Sequence, residues 1–143
     1  MTLKNKIALS TMMFLLYCIW GSWYGQMSKY LSNQLSATGV EVGNAYAMFS
    51  IAMIASPFLV GFLADRFIAA QKLLGILNLM GAAILFWIIN IDQPGLFIWV
   101  LLLYCLTFTP AISLTTSIAM RQMDNPEVDF PPIRVFGTIA WIV

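Results

Sequence analysis

The sequence predicts an all-α, membrane-spanning bundle of four complete helices followed by the start of a fifth. Two features of the composition point that way. Apolar residues make up 61% of the 143-residue chain and charged residues 9%, whereas a soluble domain is about half apolar and about a quarter charged. The few charges partition the chain: Lys6 and Lys29, Glu41 and Asp65, Lys72 and Asp92, and Asp92 and Arg121 bracket uncharged stretches. Each stretch is close to the ~20 residues that cross a bilayer as a helix. Lipid offers the backbone no hydrogen-bond partner, and unbroken apolar runs without two-residue alternation select helix over barrel strand.

The first span is expected at residues 7–30. Lys4 and Lys6 ahead of an apolar run imitate a secretory signal, but the run is longer than a signal core and carries Trp20, Trp23 and Tyr24 where small cleavage-site residues would stand. Gly21 and Gly25 form a G-x-x-x-G, which lets two membrane helices approach closely. The second span, residues 42–64, repeats the small-residue spacing at Ala52 and Ser56; plain packing explains both patterns. Spans three and four are expected at residues 73–91 and 96–120, joined by a tight turn at Asp92-Gln93-Pro94-Gly95. Pro57 and Pro110 lie inside the second and fourth spans, where each removes a backbone hydrogen bond and should bend its helix.

The fifth span is expected to begin near Pro132, a residue suited to the first helical position, and to run over residues 132–143. That length is too short to cross a bilayer, so the chain reads as an incomplete, amino-terminal fragment. Lys4, Lys6, Arg66, Lys72 and Arg121 gather at one set of helix ends, against Lys29 at the other. The positive-inside rule then places the amino terminus in the cytoplasm of a multi-pass inner-membrane protein.

Several function classes fall away. A net charge of +1 without a basic stripe argues against nucleic acid. With no histidine the usual imidazole metal site cannot form, and no cofactor is implied. Cys18 and Cys105 read as small membrane-core side chains. An enzyme is disfavoured by the lack of paired carboxylates and of a G-x-S-x-G nucleophile turn. A transporter and a non-transporting receptor remain.

Two constellations carry chemistry. Gly61, Asp65 and Arg66 close the second span at its cytoplasmic end, where an acid and a base can pair with neighbouring helix termini and shut one side of a bundle. An ordinary charged loop is the alternative. The spacing resembles the loop after the second span of major facilitator transporters, although Phe67-Ile68-Ala69-Ala70-Gln71 replaces the usual glycine and paired basic residues.

The second constellation is Asp129-Phe130-Pro131-Pro132-Ile133-Arg134 with Gly137, Thr138 and Trp141. Arg134, Thr138 and Trp141 stand at i, i+4 and i+7 and share one helical face. A cation in an apolar helix costs at least ~2.5 kcal/mol on insertion scales, so Arg134 should point into the bundle. Snorkelling to the cytoplasmic headgroups is the alternative. Guanidinium donors, a hydroxyl and a ring on one stripe suit a flat polar ligand, stacked on Trp141 and hydrogen-bonded at its edges.

This run, with Trp20-Gly21-Ser22-Trp23, resembles the nucleoside:proton symporter family of the major facilitator superfamily through all the visible spans. The resemblance implies a major facilitator-type bundle and proton-coupled nucleoside uptake by alternating access. It also implies substrate contacts from Arg134, Thr138 and Trp141, where the family's usual aromatic is Phe. The expected partners are a nucleoside, protons, the lipid bilayer and the remaining helices of a longer chain. A sugar:proton symporter of the same superfamily is the alternative, since Trp, Gln and Arg also serve sugar pockets. The polar residues Thr109, Ser113, Thr116, Ser22 and Gln26 read as structural. Only Glu41 and Asp65 are counted as acids near spans, both at ends, so the proton-carrying acid is expected elsewhere.

Overall fold

The computed structural model describes residues 2–66 and 69–142, the side chains of 61–66 excepted. Six helices follow in order: α1 (Leu3–Tyr24), α2 (Met27–Gln34), α3 (Gly39–Arg66), α4 (Ala70–Ile88), α5 (Pro94–Arg121) and α6 (Pro126–Ile142).

The hydroxyl of Thr2 caps α1, accepting from the Asn5 N–H at 3.4 Å. The first span was expected to be one helix, yet it divides at Gly25 and Gln26, and the ladder resumes as α2. Glycine inside a helix costs about 1 kcal/mol relative to alanine, which favours the interruption there. Beyond it, Met27, Leu31 and Leu35 are buried at four-residue spacing. Ser36 then takes a left-handed φ of 51°, and the Ala37 N–H donates to the Leu31 carbonyl at 3.0 Å.

A capping box starts α3. The Thr38 N–H and hydroxyl each donate to Glu41 Oε2 at 2.8 Å, and the Glu41 N–H returns a longer bond to Thr38 Oγ1 at 3.4 Å. This reciprocal pair satisfies donors that a helix start leaves open, and it gives Glu41 a structural role. Thr38→Ala is expected to cost about 1 kcal/mol. Thermal melting of the purified protein checks this, with Thr38→Ser as the retaining control.

Two helix starts differ from expectation. Pro94 and Gly95 do not form a separate turn; Pro94 is the first residue of α5, and the Gln93 carbonyl accepts from the Phe97 N–H at 3.0 Å. The last helix begins at Pro126, and Pro131 and Pro132 lie inside it. Asn125-Pro126-Glu127 supplies the physical reason. The Asn125 carbonyl accepts from the N–H groups of Val128 and Asp129 at 3.2 and 2.9 Å. Pro126 has its φ pre-set for the first position, and Glu127 and Asp129 place negative charge at the positive end of the dipole. Pro57 and Pro110 lie inside α3 and α5, as the spans required.

Among the described residues four stretches are long and apolar enough to cross a membrane: Leu3–Gln34, Gly39–Val60, Ala70–Ile88 and Pro94–Arg121. In the most apolar window of α5, 61% of the residues are buried, against 22% in each of the other three. Elsewhere large side chains such as Phe58, Leu79 and Phe86 face outward, as expected where the surroundings are as apolar as the side chains themselves.

Two compact units are present: Met1–Met27 with Thr115–Val143, and Ser28–Leu114. In the second, Leu73, Leu77 and Leu114 form a buried cluster with Val60, Ala70 and Leu74 against it. There the Thr109 hydroxyl, buried in α5, is shared between its own-helix carbonyl of Cys105 at 2.9 Å and the Ala52 carbonyl of α3 at 3.1 Å. Ala52 and Ser56, the small pair noted in the sequence, are both buried. Thr109→Val is expected to lower stability by only about 0.6 kcal/mol, the mean for such bonds between membrane helices. A chemical-denaturation curve in detergent reads it.

Candidate functional site

The first unit brings α1 against α6. Leu9, Met13 and Tyr17 recur every fourth residue on α1 and share a buried cluster with Ala119, Met123, Ile133 and Ala140. At Gly21 the helix meets the α6 backbone closely: an added Cβ would lie 3.2 Å from the Trp141 carbonyl oxygen and 3.4 Å from its Cα. A Cβ at Gly25 would meet only the Gly21 carbonyl, at 3.9 Å. Of the G-x-x-x-G pair, Gly21 alone sits at the helix contact.

Along this seam Arg134 turns inward, its guanidinium carbon over the Tyr17 ring and 4.1 Å from the centroid. One turn on stands Thr138. Trp141 follows, its ring edge-to-face with Trp20 at 4.8 Å and tilted against Tyr24 at 5.9 Å. Arg134, Thr138 and Trp141 line one pocket of about 200 Å³ with Tyr17, Trp20 and Gly137. The structure therefore brings together all three binding residues expected from the stripe. Tyr17 and Trp20 were not foreseen as pocket walls. The available signal was the place of Tyr17 four residues before Gly21, on the face that a close helix approach would turn inward, with Trp20 three residues after Tyr17.

The chemistry of this pocket follows from its lining. Lys6 Nζ pairs with Asp129 Oδ1 at 3.3 Å, while among the described residues no carboxylate pairs with Arg134. Its planar donors are left for a ligand's carbonyl or hydroxyl oxygens, and the aromatic walls suit a flat ring. A larger groove of about 410 Å³ lies between the first turns of α1 and the middle of α6, lined by Lys6, Ile7, Ser10, Thr11, Phe14, Pro132, Ile133 and Phe136. It holds none of the expected site residues, and the Thr11 hydroxyl is spent on the Ile7 carbonyl at 2.9 Å. The smaller pocket is the better candidate because its polar groups converge with aromatic faces.

The remaining sequence expectations resolve in part. The side chains of Asp65 and Arg66 and the surroundings of Gly61 lie outside what is described. Ser22 donates to its own-helix carbonyl of Ile19 at 2.8 Å, and Thr109 bonds as above, both structural uses. Cys105 is buried, whereas Cys18 is exposed rather than packed in the core. The count of acids near helices needs correcting. Because α6 begins at Pro126, Glu127 and Asp129 belong to its first turn and add to the count that held Glu41, in the first turn of α3.

Comparison with known proteins decides the family. The sequence profile of the nucleoside H+ symporter family matches residues 1–143, the whole chain. The chain belongs to this family. It is 43% identical over 140 residues to the protein YegT of Escherichia coli (strain K12), covering 98% of this chain and 33% of that protein. To the xanthosine permease of the same organism it is 37% identical over 139 residues, covering 94% of this chain and 33% of the permease. The crystal structure of a mutant of the nucleoside transporter NupG superposes with a TM-score of 0.90 at 31% identity, over 96% of this chain and 35% of that one.

The symporter-family chain thus spans about a third of the length of the curated relatives it matches. Its fold is the all-helical, major facilitator-type bundle expected from the sequence, and it is part of a multi-pass membrane protein. The named relatives are transporters rather than enzymes.

Proposed function

We propose that the protein is a proton-coupled nucleoside symporter of the cytoplasmic membrane, working by alternating access, in which this chain supplies part of the amino-terminal half. The observation that carries the reading is the pocket between α1 and α6. Guanidinium, hydroxyl and indole project from one stripe of α6 at Arg134, Thr138 and Trp141, against the aromatic wall of Tyr17 and Trp20. A nucleoside presents complementary groups: a flat base to stack on Trp141, and carbonyl and hydroxyl oxygens to accept from Arg134 and Thr138.

The amino terminus is cytoplasmic in this reading, following the lysines and arginines of the short connections. Gly61, Asp65 and Arg66 close the cytoplasmic side as the two halves rock around the central site. In this reading the proton carrier belongs to other helices of the protein; here Glu41 is bound in its capping box and Asp129 is paired with Lys6.

Uptake of radiolabelled uridine and adenosine by cells expressing the full-length protein, with and without a protonophore, tests the proposal. Protonophore-sensitive accumulation of either nucleoside is the expected result. Absence of accumulation of both, with the protein present in the membrane, would overturn the substrate class. Accumulation indifferent to the protonophore would overturn the coupling alone.

A further inference from the structure

We propose that Tyr17 is a positioning residue for the substrate site: its ring seats the Arg134 guanidinium so that the cation's planar edge, rather than its face, is offered to the ligand. This rests on the nucleoside-transport reading above.

Three observations lead to it. The guanidinium carbon lies over the Tyr17 ring at 4.1 Å from the centroid, well inside the ~6 Å over which an aromatic face attracts a cation. Tyr17 is itself fixed: it is buried on the α1 row with Leu9 and Met13, and its ring meets that of Trp20 at 5.7 Å. The seat also depends on a missing side chain. A Cβ at Gly137 would come within 2.9 Å of Arg134 Nη1 and 2.9 Å of Tyr17 Cδ2, so only glycine leaves room for the two groups to meet across the seam.

Chemistry explains what the seat achieves. A guanidinium on a flexible stem carries five in-plane donors whose usefulness depends on where the plane points. No carboxylate among the described residues fixes it through paired hydrogen bonds. A π-face holds the cation without consuming any donor. With the guanidinium plane stacked on it, the ring of Tyr17 does the orienting that an acid does elsewhere and leaves the in-plane N–H groups for the ligand. The same contact separates a ring from a hydroxyl: phenylalanine at position 17 keeps the face, whereas leucine and methionine fill space without one.

The test uses the full-length protein in proteoliposomes, with initial rates of uridine uptake normalised to transporter content. Tyr17→Phe is expected to keep KM within about twofold, and Tyr17→Leu to raise it about tenfold, the scale of a desolvated cation–ring contact. Arg134→Gln retains planar donors but removes the cation. In that background Tyr17→Leu should change KM no further. If Tyr17→Leu fails to reach the membrane, Tyr17→Met is read in its place.

A residue that only fills the core would lower the amount of active transporter and the maximal rate, would leave KM in place, and would act independently of Arg134. A wild-type KM in the leucine or methionine variant overturns the inference, as does a penalty that persists undiminished beside Arg134→Gln. A phenylalanine variant as impaired as the leucine one also overturns it, by assigning the effect to the hydroxyl. No uptake by the unsubstituted protein overturns the transport reading itself, and this inference with it.

Discussion

Arg134→Ala is expected to lower nucleoside uptake by about a hundredfold at equal amounts of protein in the membrane. The estimate follows from losing one or two hydrogen bonds to a charged donor, each worth roughly 1.5–3 kcal/mol, where 1.4 kcal/mol is tenfold. The direction of the stability effect makes the experiment informative. A cation within an apolar helix is costly to insert, so removing it offsets the lost contact with Tyr17 and should leave membrane insertion no worse. Loss of uptake with normal insertion then reports binding. Arg134→Lys is expected to recover little, because an ammonium is a point charge without the planar fork. Uptake assays beside immunoblots of the membrane fraction check both variants, and wild-type uptake by Arg134→Ala would remove this residue from the site.

Gly21→Leu is expected to separate α1 from α6, lowering stability by about 1–3 kcal/mol or more and abolishing uptake with it. Even a bare Cβ there would stand 3.2 Å from the Trp141 carbonyl oxygen and 3.4 Å from its Cα. Those atoms are backbone and cannot rotate aside, so the branched side chain must push the whole helix away. Trp141 is carried by the displaced segment, together with its contacts to Trp20 and Tyr24. Gly25→Ala is the matched control, since its nearest neighbour is at the ordinary distance of 3.9 Å. Melting temperature by size-exclusion chromatography in detergent should fall for the first variant and hold for the second. Equal behaviour of the two would mean that the helix contact is not set at Gly21.

How much of the site was legible depends on which residues are asked about. Arg134, Thr138 and Trp141 were visible because a helix repeats every 3.6 residues, and three chemistry-bearing residues in an apolar stretch fall on one stripe whatever surrounds them. The start of that helix was misplaced by six residues, although Asn125-Pro126-Glu127 carried the signal: a capping residue, a proline at the first position and an acid behind it. The Pro131-Pro132 pair was the stronger lure, because proline beyond the first turn removes a helical hydrogen bond and so reads as a helix start, yet both lie inside α6. Glu41 is the reverse case. Thr38-x-x-Glu41 is a capping box, legible in the sequence and passed over there.

The sequence by itself determined that the chain crosses a membrane as helices, where the second, third and fourth spans lie to within a few residues, and which face of α6 carries the polar groups. These are local matters, decided by apolar length, charge placement and helical period. Tertiary structure decided that α1 turns Tyr17, Trp20 and Gly21 towards α6, that Gly25 takes no part, and that Tyr17 lies under the Arg134 guanidinium. The physical reason is the solvent. In water a helix declares its buried face by an apolar stripe, but in lipid both faces are apolar and packing is chosen by shape. Which flank of α1 fits another helix is then written in the gap left by a glycine and in the helix that fills it.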